Sequence, residues 1–111
     1  MIDLILPEPP SANRYWRVYR GRAVTSAEAR AYKRRVAITS RCRPLDGPVA
    51  VTVRWFRGRK AGDLDNRLKC LLDALRGVAF ADDRQVAEIH AYRYEDRVSP
   101  RVEVRVGKAE G

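Results

Sequence analysis

The residues best suited to chemistry lie in Gly62-Asp63-Leu64-Asp65-Asn66-Arg67-Leu68-Lys69, followed after a short apolar link by Asp82-Asp83. Asp63 and Asp65 stand two residues apart, and Lys69 comes one helical turn after Asp65. Carboxylates grouped this way are hard oxygen ligands, the kind that Mg²⁺ or Mn²⁺ takes. An ion held there would polarise a phosphate and make its bound water acidic. A lysine beside it would stabilise charge developing on the phosphate or the leaving oxygen. The same spacing also fits a plainer role. Asp63 or Asp65 would cap a helix, Asp65 and Lys69 would form a surface pair, and Asp82-Asp83 would make a turn. Spacing alone leaves both readings open.

Other chemistries lack their residues. A single histidine, His90, supplies neither a Ser-His-Asp set nor a zinc site. Cys42 and Cys70 match no metal spacing and read as packing residues of a protein kept reduced. No glycine-rich loop cradles a phosphate, so no organic cofactor is expected.

Composition points to the partner. The chain of 111 residues has 23 Lys and Arg against 14 Asp and Glu, a formal net charge of +9. Such a balance favours a polyanion, and nucleic acid is the first candidate. With 45% hydrophobic residues the chain reads as one globular domain over residues 1–111. No apolar run approaches the roughly 18 residues of a membrane span. Met1 to Pro10 is acidic where a signal peptide is basic, so a cytoplasmic protein is expected.

The elements that must position these residues follow from periodicity. Met1 to Leu6 reads as a strand, and Arg14 to Thr25 as a hairpin turning at Arg20-Gly21. Ser26 caps a helix running to about Ser40, with Ala29, Tyr32 and Val36 on its apolar stripe. Val49 to Phe56 alternates cleanly as a strand, with Val49, Val51, Val53 and Trp55 on one face. A second helix runs from about Leu64 to Arg76 and stops at Gly77. Its stripe is Leu64, Leu68, Leu71, Leu72 and Leu75, flanked by Asp65, Lys69, Asp73 and Arg76. Val86 to Tyr94 and Arg101 to Val106 are the last strands. The expected fold is α+β, a mixed sheet of about four strands plus an N-terminal hairpin, packed by two helices. Arg14, Arg17, Arg20 and Arg22 on the hairpin, with Arg57, Arg59 and Lys60 in the loop before the acids, are candidates for phosphate contacts. Tyr15, Trp16 and Tyr19 are candidates to stack on unpaired bases, with core packing as the alternative.

Taken together, Asp63-Leu64-Asp65-Asn66, Lys69 and Asp82-Asp83 resemble the RusA-type Holliday-junction resolvases, which are often prophage-encoded. Pro9-Pro10-Ser11, Asn13-Arg14-Tyr15 and the Ser26-to-Tyr32 helix start are similar to that family's N-terminal signature. The resemblance covers Leu4 to about Ile89, and its acid-and-lysine spacing is fairly specific. It implies a small homodimeric endonuclease that binds four-way DNA junctions in recombination and repair. Such enzymes nick two strands symmetrically with Mg²⁺ or Mn²⁺. By position it makes Asp63, Asp65 and Asp83 the metal-binding acids and Lys69 the catalytic lysine. Asp82 stays uncertain, because adjacent side chains point apart. The chain is slightly short for the family, with a brief Arg57-to-Gly62 loop. A non-catalytic nucleic-acid-binding protein is the alternative.

Overall fold

The computed structural model describes residues 1–60 and 62–109. A four-stranded mixed sheet forms the body, in the order β1-β6-β4-β5. Its strands are β1 (Ile2–Leu6), β4 (Val49–Arg57), β5 (Val86–Glu95) and β6 (Arg101–Lys108). β6 runs antiparallel to both β1 and β4, and β4 pairs in parallel with β5. Parallel neighbours need a crossover, and helix α3 (Leu64–Leu75) supplies it. Helix α2 (Ala27–Thr39) lies beside α3.

Alternation fixes which face is buried. Val49, Val51, Val53 and Trp55 of β4 meet Val102, Val104 and Val106 of β6 in one apolar core. Tyr32 and Val36 of α2, and Leu71, Ala74 and Leu75 of α3, close that core from above. Leu64, Leu68 and Leu72 pack half-buried along its rim. The stripe of α3 is therefore the one the sequence predicts, and its charged flank stays at the edge of the sheet. Gly77 ends the helix with φ +84, a conformation that side-chain-bearing residues rarely adopt. The Ser26 hydroxyl accepts from the Ala29 N–H at 3.1 Å and caps α2 as expected. Both cysteines are free thiols in apolar surroundings, with Cys70 fully buried and Cys42 against the main core.

The N-terminal region differs from expectation. The hairpin consists of β2 (Trp16–Tyr19) and β3 (Arg22–Thr25), a separate two-stranded sheet. Its turn has Arg20 at φ 51 and Gly21 at φ 75, the pair of left-handed residues that matches strand twist. Arg14 and Tyr15, expected in the hairpin, belong instead to a one-turn helix α1 (Ala12–Tyr15). Four residues show no periodicity, and this turn depends on tertiary contacts. Asn66 of α3 accepts from the Ala12 N–H at 3.0 Å, and Tyr15, Ala29 and Cys70 form a second small core joining the three helices.

Candidate active site

Among the described residues, the side chains of Asp63 and Asp65 make no hydrogen bond or ion pair. Asp63 occupies the N-cap position of α3, yet its side chain makes no capping bond. Among the described residues, Asp63, Asp65 and Asp83 take part in no ion pair, and neither does Lys69. Asp63 is thus the N-cap by position without a side-chain bond, Asp65 lies in the acidic first turn, and the Asp65–Lys69 pair does not form. Asp82 is the opposite case. It caps the short 3₁₀ turn Asp83–Gln85, accepting from the Arg84 N–H at 2.9 Å and from its guanidinium at 3.0 Å. Those bonds hold the Asp82 carboxyl down at about 2.

A cleft of about 690 Å³ lies along α3, lined by Trp16, Lys69, Leu72, Asp73, Arg76, Asp83, Val86 and Ile89. Lys69 and Asp83 thus face the same space, while Asp82 lines a different depression beside Gly47 and Pro48. Gln85 fixes this turn. Its amide oxygen accepts from the Ala81 and Asp82 N–H groups, and its amide nitrogen donates to the carbonyls of Leu45 and Gly47. Asp63 and Asp65 stand at the start of α3, and Lys69 follows one turn later on the same helix.

Oxygen-only donors suit a hard divalent cation in kind. Asp63 and Asp65, exposed and unpaired at one helix terminus, are the pair that would hold it, since hydrated Mg²⁺ needs only one or two carboxylates. Asp83, the third acid expected there, lines the cleft that holds Lys69. Among the described residues, no three His, Cys, Asp or Glu side chains come together to hold an ion.

Other parts of the site are not visible in the sequence. The Tyr15 phenol and the Lys33 ammonium both bond Oδ2 of Asp73, the latter at 2.7 Å. Burial pushes the Asp73 carboxyl up, but bonds from Lys33 and Tyr15 outweigh it and leave the group below its ordinary value. Burial, then the Asp73 carboxylate, push the Tyr15 phenol far above its ordinary range. Burial pushes the Cys70 thiol up to about 11, which makes it inert. Arg67 donates to the Pro9 carbonyl and lies 5.3 Å over the Trp55 ring, and Trp55 in turn donates to Glu8 at 2.8 Å. The Pro9-to-Tyr15 segment is therefore a strap tied to α3 by Asn66, Arg67 and Asp73.

The basic surround sorts in two. Arg14, Arg17, Arg20, Arg22, Arg59 and Lys60 are exposed, and so are Trp16 and Tyr19. Tyr15 is not available for stacking: it is wholly buried, because its ring fills the small core under the strap. Arg57 is likewise no open phosphate contact. Its side chain is 11% exposed and is held by Glu95 at 2.8 Å, joining the ends of β4 and β5.

Unpaired acids and a lysine thus share one helix, and Trp16 at the start of the exposed basic hairpin lines the cleft with Lys69. The comparisons with known proteins are specific. The family model for Endodeoxyribonuclease RusA matches residues 7–107, and the chain belongs to that family. It is 36% identical over 110 residues to the crossover junction endodeoxyribonuclease RusA of Escherichia coli K12, covering 94% of this chain and 92% of the relative. It is 36% identical over 109 residues to the crossover junction endodeoxyribonuclease of Enterobacteria phage 82, covering 93% and 91%. The Shigella sonnei enzyme of the same name is 35% identical over 110 residues, covering 94% and 92%. No helix among the described residues is long and apolar enough to cross a membrane.

Proposed function

We propose that this chain is a metal-dependent endodeoxyribonuclease that cuts crossover (four-way) DNA junctions, working as a homodimer in the cytoplasm with Mg²⁺ or Mn²⁺. One observation carries the reading. A family match over nearly the whole chain coincides with acids and a lysine that the fold leaves unbonded.

Each residue has a part. Asp63 and Asp65 would hold the ion. When bound, the ion supplies Lewis-acid polarisation of the scissile phosphate and acidifies a water. Lys69 offers an unpaired ammonium in the cleft to the charge that develops on the phosphate. Asp83 lines the same cleft as Lys69 and would join Asp63 and Asp65 at the ion. Arg14, Arg17, Arg20, Arg22, Arg59 and Lys60 bind backbone phosphates, which positions the DNA without reading its sequence. Trp16 and Tyr19 offer faces to unpaired bases at an opened junction. Two symmetric nicks need two centres related by a two-fold axis, and a C₂ pair of chains provides them.

The test is cleavage of a synthetic four-way junction with Mg²⁺ or Mn²⁺, beside linear duplex of the same sequence. Asp65→Asn and Lys69→Ala are run in parallel. Paired nicks in the junction alone, lost in both variants, are the expected result. Junction binding without cleavage under either metal would leave a binding protein.

A further inference from the structure

Lys69 stands between two acids on one face of α3, Asp65 four residues before it and Asp73 four residues after. At that spacing either carboxylate is within reach of its ammonium. Lys69 pairs with neither. Asp73 is instead taken by Lys33 of the neighbouring helix, Nζ to Oδ2 at 2.7 Å, and the Tyr15 phenol donates to the same oxygen. The Lys33 ammonium also lies 5.8 Å from the centre of the Tyr15 ring. The Asp73 side chain is only 17% exposed, so water alone does not satisfy its charge.

We infer that Lys33 is a positioning residue: by satisfying Asp73 from α2, it keeps Lys69 unpaired and available to the DNA phosphate. The inference rests on Lys69 being the catalytic lysine of the nuclease proposed above. A largely buried carboxylate that loses its cation draws in the nearest replacement. Two cations share the cleft with Asp73, namely Lys69 and Arg76, and Asp83 faces them. Arg76, the C-cap, already acts on the Asp73 carboxyl from the end of the helix. Lys69, one turn before Asp73 on the same helix face, is the second cation within reach of the freed carboxylate. A captured Lys69 no longer meets the developing phosphate charge. Loss of Lys33 therefore falls on the rate of cleavage more than on DNA binding.

The experiment uses the full chain, a synthetic four-way junction and Mg²⁺. It measures the single-turnover rate at saturating protein, with junction Kd and melting temperature alongside. Lys33→Met should slow cleavage by about tenfold or more while junction Kd changes by less than about threefold. Lys33→Gln, which keeps a donor but not the charge, should show the same loss and guards against a folding defect in the first variant. Lys33→Arg should restore the rate. Adding Asp73→Asn to Lys33→Met should recover most of it, because a neutral amide has no charge with which to capture Lys69. Lys69→Met is the control on the underlying reading: if it cleaves normally, Lys69 is not catalytic, whatever Lys33 does. If Lys69→Met is inactive while the Lys33 variants cut at the wild-type rate, this inference alone is overturned. It is overturned equally if the double variant is no faster than Lys33→Met.

Discussion

Two groups of aspartates sit within twenty residues of each other and are treated in opposite ways. Asp73 and Asp82 are both bonded, the first through Oδ2 to Lys33 and Tyr15, the second to the backbone and side chain of Arg84. Asp63 and Asp65 begin the same helix that carries Asp73, yet among the described residues neither side chain has a bonded partner. The helix dipole alone favours acids at that end by only about 0.3–1 kcal/mol. A carboxylate with a structural role is bonded, and an unbonded pair amid basic loops is what a bound cation would require. The difference separates residues bonded into the fold from residues left free for the proposed chemistry.

The largest effect expected from this contrast is at Asp65. Asp65→Asn should lower junction cleavage by about 10²-fold or more, as removal of one charge-organising group does. Its stability to urea should move by no more than about 0.5 kcal/mol, since the side chain is exposed and unpaired. A variant that cuts normally, or one that is clearly destabilised, would erase the distinction between the two groups.

Asp73 should behave in reverse. Asp73→Ala strands the Tyr15 phenol and the Lys33 ammonium, and should destabilise the fold by about 2 kcal/mol in urea titrations. The sign with pH follows from its lowered folded value. The contribution is present above the ordinary carboxyl value of 3.8 and is lost as pH falls through the lower folded one. The stability gap between wild type and Asp73→Ala should therefore be full at neutral pH and shrink below about pH 4. A gap that widened in acid would mean that Asp73 is not held as a carboxylate.

Much of this was legible in the chain. The alternation of Val49 to Trp55, the leucine stripe of α3, the Ser26 cap and the Arg20-Gly21 turn are local patterns, and local patterns survive folding. Asp63, Asp65 and Lys69 stood out because few other residues offered chemistry. Relations across elements were not legible. Nothing near Asp73 in sequence announces Lys33, forty residues away, and nothing near Ala12 announces Asn66. Tyr15 read as a candidate for base stacking, with core packing as the alternative, because it was grouped with Trp16 and Tyr19 in the hairpin, whereas the short helix turns its ring inward. Arg57 read as loop and is the end of a strand, where register brings it opposite Glu95.

The strap gives a smaller and more local test. Asn66 lies beside Asp65 but serves the fold, accepting from the Ala12 N–H. Asn66→Ala should lower stability by about 1 kcal/mol, the worth of one such bond. Hydrogen exchange at Ala12 should quicken, and cleavage should fall only as far as the strap loosens. If Asn66→Ala instead abolished cleavage without loosening the strap, Asn66 would belong with the chemical residues and not with the structural ones.

The smallest effect separates the arginines in the same way as the aspartates. Arg17 and Arg22 are exposed on the hairpin, while Arg57 is held by Glu95. Each phosphate that a basic side chain neutralises releases counterions, so binding weakens with salt in proportion to the number of contacts. Arg17→Ala or Arg22→Ala should each reduce the slope of log affinity against log salt by about 1. Arg57→Ala should leave that slope unchanged, because its charge is already neutralised within the protein. What it should change is the join between β4 and β5, read as faster hydrogen exchange at Asp96, whose N–H donates to the Arg57 carbonyl at 2.9 Å. Equal slopes for Arg17→Ala and wild type would take the hairpin out of the DNA interface. A reduced slope for Arg57→Ala would mean that DNA displaces Glu95 and that the pair opens on binding.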